Sequence, residues 1–121
     1  MSGTRINAEA KKTAAAPFEP MSFEKRDVQA EADVERVPLF EIDGAEYTIP
    51  AVVPTGDSLK LLLQTRGMNE AERALVLIDV LAGNKALNAL LGEAKLTDAD
   101  WRKLITRVSD HALGRVEEPG N

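Results

Sequence analysis

From residue 37 onward, apolar and polar positions alternate and then recur at helical spacing, and the change of period marks the elements. Val37-Pro38-Leu39-Phe40-Glu41-Ile42 alternates from Phe40 onward. Asp43-Gly44 follows, a two-residue hairpin signal, and Glu46-Tyr47-Thr48-Ile49 returns as a second strand closed by Pro50 and Pro54. Thr55-Gly56-Asp57-Ser58 offers oxygen caps for a helix over Leu59–Arg66 that Gly67 stops. Asn69 caps a second helix with Glu72 at its N3 position, the spacing of a capping box. In it Ala71, Ala74, Leu75, Ile78 and Ala82 fall at helical spacing. Val76, Leu77, Val80 and Leu81 fill much of the rest of its circumference, so it is expected at the centre or between copies. Gly83 ends it. A third helix over Lys85–Leu91 places Ala86, Leu87, Leu90 and Leu91 on one face, with Gly92 after it. Thr97 caps the last helix, with Asp100 at N3 and Leu96 and Trp101 at the staple positions. Gly114 is its expected end.

The predicted fold class is mainly α: a small domain of about four helices preceded by a β-hairpin and a disordered N-terminal arm. The large apolar residues at helical spacing are the candidate core or partner-binding positions. They are Leu75, Ile78, Leu81, Trp101, Leu104, Ile105 and Val108. The folded body spans residues 37–115, and residues 116–121 read as a flexible tail. Residues 1–36 carry too few large apolar side chains to offset the entropy of ordering, so the whole stretch is expected to be disordered. Within it, Phe18 and Phe23 flank Pro20 and Met21. That is either a short docking motif or incidental apolar content, and the incidental reading is favoured.

Composition narrows the function classes. A length of 121 residues allows one small domain, and a body of about 80 residues is marginal alone and gains from an oligomer or partner. The net charge of −5 argues against general nucleic-acid binding and against attraction to anionic membranes. The absence of cysteine excludes disulfides, thiolate metal sites and a cysteine nucleophile. The longest apolar stretch, Ala74–Ala82, is broken by Asp79 and is too short to span a bilayer. The N-terminus holds no apolar run of the kind a signal peptide needs. The expectation is a soluble, intracellular protein.

No catalytic, cofactor-binding or metal-binding constellation emerges. His111 is the one histidine, and on its helix it faces Arg107 rather than a carboxylate. It is expected near the helix C-terminus in a structural role. Glu41, Asp43 and Glu46 crowd an exposed turn without an apolar pocket to raise a pKa. Ser109 and His111 point apart on a helix, so they cannot form a nucleophile–base pair. Arg102, Lys103 and Arg107 make a small basic patch, read first as a solvated helix face.

The order of elements resembles the tail assembly chaperones of long-tailed, non-contractile (siphovirus-type) bacteriophages. The resemblance covers roughly residues 38–114. It rests on Phe40-Glu41-Ile42-Asp43-Gly44 with Tyr47-Thr48-Ile49-Pro50, then Ser58-Leu59-Lys60 and Leu77-Ile78-Asp79-Val80-Leu81. It ends in Leu96-Thr97-Asp98-Ala99-Asp100-Trp101 through His111-Ala112-Leu113-Gly114. The resemblance implies a non-enzymatic protein of the host cytoplasm that coats the helical tape measure protein, keeps it soluble and helps recruit tail tube protein. It implies no cofactor, a homo-oligomer, and absence from the mature virion. Many members also occur as a longer form made by ribosomal frameshift, and Pro119-Gly120-Asn121 can be encoded by a slippery heptamer. The alternative is a structural virion component, such as a tail-completion or adaptor subunit.

Overall fold

The computed structural model describes residues 17–32 and 34–117. Expectations for residues 1–16 and for 118–121, including Pro119–Asn121, lie outside the described residues. The protein is mainly α. Among the described residues it holds five helices and one antiparallel hairpin. In chain order these are α1 (Val28–Ala32), β1 (Arg36–Ile42), β2 (Ala45–Pro50), α2 (Thr55–Thr65), α3 (Glu70–Ala82), α4 (Asn84–Gly92) and α5 (Asp98–Glu117).

The hairpin turns where the Asp-Gly pair predicts. Asp43 and Gly44 both take positive φ, 48° and 88°, as the tightest hairpin turn requires. Ile42 pairs with Ala45 and Arg36 with Pro50 across the ladder. A bulge interrupts the register between Pro38 and Phe40. Strand side chains alternate faces, so Val37 and Phe40 would otherwise point to opposite sides. The extra residue resets the parity: Leu39 is buried while Val37, Phe40 and Ile42 are half-buried. Phe40 stacks on Tyr47 with ring centroids 5.2 Å apart.

β1 begins at Arg36, within the stretch expected to be disordered. The Arg36 guanidinium donates to Thr48 Oγ1 (2.9 Å), to Thr48 O (2.8 Å) and to Leu81 O (3.0 Å). Leu81 O is among the last four carbonyls of α3, which lack partners within their own helix. Arg36 therefore ties the open end of the hairpin to the end of α3. Helix α1 also falls in the stretch expected to be disordered. It is one short turn, begun where Asp27 Oδ1 accepts the Ala30 amide.

The capping oxygens expected before α2 are inside it. The helix starts at Thr55, its N-cap is Pro54, and no side chain caps it. Ser58 is buried instead, and its Oγ donates to Ala112 O of α5 at 2.6 Å. A tertiary hydrogen bond has taken the hydroxyl that a local cap would have used. The buried Thr65 hydroxyl is satisfied within the helix, on Leu61 O at 2.7 Å.

Helix α3 carries the capping box its sequence predicts. Asn69 Oδ1 accepts the Glu72 amide at 2.8 Å, and Glu72 Oε1 accepts the Asn69 amide at 3.1 Å. It packs on α2, α4, α5 and β2. Its inward face is Ala74, Leu77 and Ile78. In α4, Ala86, Ala89 and Leu90 are buried and Leu91 faces out, so the expected face is displaced at Leu91.

Helix α5 is capped at Thr97, whose Oγ1 accepts the Asp100 amide at 3.1 Å. It does not stop at Gly114 but runs to Glu117, so Val116 and Glu117 are helical rather than tail. Glycine costs a helix about 1 kcal/mol relative to alanine, which downstream contacts can offset. Here Leu113 is buried, Arg115 donates to Val53 O at 2.7 Å, and Glu117 pairs with Arg73 of α3.

Of the seven candidate core positions, Ile78, Leu104 and Val108 lie in the core. Leu81, Trp101 and Ile105 are half-buried against it. Leu75 is half-buried outside that cluster, and Leu77 takes the inward position on α3. Leu39, Ile49, Leu61, Leu90 and Leu113 complete the larger core side chains.

Candidate docking surfaces

His111 lies against the hairpin. Its Nε2 stands 2.7 Å from Pro50 O. A carbonyl only accepts, so this contact places a proton on Nε2. The ring thus pins α5 to the end of β2 while it shares a shallow groove with Arg107, one turn earlier, and with Asp110, and the helix continues six residues past it. Glu41 and Glu46 face each other across the ladder, both exposed. Among the described residues, no group of three His, Cys, Asp or Glu side chains is placed to hold a metal ion. Among them, no helix is long and apolar enough to cross a membrane.

Two surfaces have the makings of docking sites. The first is the outward flank of α2. Ser58, Leu61 and Thr65 define the buried face of that helix. Successive residues step by about 100°, so Leu61-Leu62-Leu63 cannot all turn inward. Leu62 is half-buried, Leu63 is 60 % exposed, and Leu59, one turn earlier, is 51 % exposed. The result is an apolar stripe at i, i+3 and i+4 in which Leu62 packs against the core edge and the domain leaves Leu59 and Leu63 in water.

The second is a cleft of about 400 Å³ between the turn end of the hairpin and α5. Leu39, Phe40 and Ile42 form one wall, and Leu90, Ala94 and Leu96 another. Leu104 is the one candidate core position that reaches it. Lys95, Lys103 and Arg107 stand on its rim together with Glu41, Asp43 and Asp100. Two members of the basic patch, Lys103 and Arg107, thus face a cleft, while Arg102 does not line it.

Ahead of Glu35 and Arg36, which join the hairpin, the arm is held to α2 by a latch. Arg26 donates to both carboxylate oxygens of Asp57 in the first turn of α2, at 3.0 and 3.1 Å, and also pairs with Glu31 of α1. A Cβ added at Gly56 would lie 3.3 Å from the Arg26 guanidinium, so the approach is close. The hydrogen bond from Arg26 holds the Asp57 carboxyl below its ordinary value, and the Glu31 and Asp57 hydrogen bonds raise the arginine.

A carboxyl with a depressed folded pKa contributes its full interaction above the ordinary value and loses it as pH falls through the lower one. The latch is therefore intact at neutral pH and opens only in acid, below the ordinary aspartate range. The Gly56 amide shift, followed by NMR, should titrate with a midpoint below the ordinary aspartate value. Arg26→Gln should move that midpoint upward. An unchanged midpoint would mean that Arg26 does not hold Asp57 in solution.

Comparison with protein-family models, with curated proteins and with solved structures finds no match.

Proposed function

We propose that this chain is a tail assembly chaperone of a siphovirus-type phage, which covers apolar surface of the tape measure protein and helps recruit tail tube protein. The observation that carries the reading is the Leu59–Leu62–Leu63 stripe. A small domain that has a full core and still holds two leucines of one helix face more than half exposed has a surface suited to another helix. A long amphipathic partner supplies the matching apolar face. The element order that resembles this family supports the same reading. So does the two-stranded sheet, whose outer edges offer strand addition between copies of a homo-oligomer. The role needs only binding and release, in the host cytoplasm, with no cofactor.

Co-expression with the tape measure protein tests it. The partner should become soluble with this chain and remain insoluble with Leu59→Ser/Leu63→Ser, whose own melting midpoint should stay unchanged because both side chains are exposed. A tape measure protein equally insoluble with and without the chain would sink the reading. Recovery of the chain in purified particles would then favour a tail-completion or adaptor subunit.

A further inference from the structure

The arm presents three large apolar side chains to water within six residues: Phe18, Met21 and Phe23 are 73 %, 80 % and 82 % exposed. The outward stripe of α2 presents Leu59 and Leu63. The latch joins the two patches. Arg26 grips both oxygens of Asp57 in the first turn of α2, and the same guanidinium lies 3.3 Å from where a Cβ on Gly56 would stand. At about 100° per residue, Gly56, Leu59 and Leu63 point within roughly 60° of one another. The root of the arm therefore crosses α2 on the face that carries the stripe, one turn ahead of Leu59. The charges match as well. Glu19 and Glu24 are the only charged residues from Phe18 through Glu24. Asp57 is the only acid of α2 and is taken by the latch, whereas Lys60, next to Leu59, and Arg66, at the C-cap, are in no ion pair among the described residues.

We infer that residues 18–23 are a strap that closes over the Leu59–Leu63 stripe of the same chain, shields it while no partner is bound, and swings away when one arrives. Reach serves every apolar residue of the strap. Leu59 and Leu63 lie about 4 and 10 Å along α2 from Gly56. Phe23 extends up to about 10 Å from Arg26, Met21 up to about 17 Å and Phe18 up to about 27 Å. All three can therefore be set on the stripe with the latch closed. Only Glu24 and Lys25 lie between Phe23 and the latch, both exposed and outside any helix or strand, so the strap turns without disturbing Arg26. A segment tethered this close acts at an effective concentration on the order of millimolar, which the arm of a second copy matches only in concentrated solution. The structure holds the open form, with both patches in water. Surface contacts of this kind are individually weak, so the closed form exchanges with the open one and the stripe stays available to a tighter-binding helix. The inference rests on the stripe that carries the chaperone reading, but its test uses this chain alone, so the failure of one is distinguishable from the failure of the other.

The absence of cysteine makes the test clean. Full-length Ser22→Cys/Gln64→Cys keeps every apolar residue of both patches. In a glutathione redox buffer at low protein concentration it should form an intramolecular disulfide, seen as a faster-migrating monomer on a non-reducing gel. Rates are normalised to the exchange of each thiol with glutathione alone. Leu59→Ser/Leu63→Ser in that background should slow closure at least about fivefold, because the apolar contact is gone and only the tether remains. Arg26→Gln, which frees the root of the strap, should slow it as well. All these positions are exposed, so melting midpoints should match the parent chain and a slower rate cannot be a loss of fold. Three results would each overturn the inference. One is a closure rate indifferent to Leu59→Ser/Leu63→Ser, the behaviour of a tether that docks nowhere. Another is a rate indifferent to Arg26→Gln. The last is the absence of an intramolecular product, whether nothing forms or only disulfide-linked dimers do, the latter being the sign of exchange between copies.

Discussion

Leu77→Ala should lower the stability of the folded body by about 2–5 kcal/mol, the range for truncating a fully buried leucine. Leu77 has no exposed surface, and its helix packs on α2, α4, α5 and β2 at once. Four neighbouring elements cannot all relax into the space that three missing carbons leave, so a cavity persists and adds to the lost transfer energy. A domain of this size has a total stability on the order of 5–10 kcal/mol, so the variant sits near the edge of folding. Leu63→Ala, the same truncation at a position 60 % exposed, should stay within about 0.5 kcal/mol of the parent. Urea melts of the two variants decide the matter. Comparable losses would mean that the outward flank of α2 is packed in solution, which would remove the surface on which the chaperone reading stands.

The features legible in the sequence are those whose causes lie within a few residues. The Asp43-Gly44 turn, the Asn69–Glu72 box and the Thr97 cap each depend on atoms three or fewer residues apart, so spacing suffices to find them. The features that sequence reasoning missed are held by partners far along the chain. Ser58 serves Ala112 rather than its own helix, Arg115 reaches Val53, and Arg36 bridges Thr48 and Leu81. Each of these moved an element boundary, and none leaves a local trace.

On α3 the failure was of another kind. A helix apolar nearly all round has no periodic signal to choose a face, so Leu75 and Leu77 are equivalent until the neighbours are placed. The cleft draws its walls from β1, α4 and α5, so no single window of sequence contains it. Two hints were present all the same. Adjacent Leu39-Phe40 within an alternating strand is the mark of a bulge, and three consecutive leucines in α2 oblige one to face out.

Gly83→Ala should cost about 1–3 kcal/mol from backbone strain alone. Gly83 closes α3 and opens α4 in one residue. Its amide donates to Ile78 O and Asp79 O, and its carbonyl accepts the Leu87 amide. To do both it adopts φ 104° and ψ 158°, a conformation that a Cβ strongly disfavours. A Cβ built there meets nothing within 4 Å, so steric crowding by neighbours cannot supply the loss.

Gly92→Ala is the matched control. It has the same chemistry and the same open surroundings, at a helical position without positive φ. That change should be neutral or stabilising by up to about 1 kcal/mol, because alanine restricts the unfolded chain more than glycine does. Equal shifts in the two melts would show that the α3–α4 joint relaxes around an alanine. A large gap between them would locate the rigidity of the body in one residue. That joint sets the direction of α4, and with it the placement of Leu90 along the cleft. Strain at Gly83 should therefore be felt at the docking surface as well as in the melt.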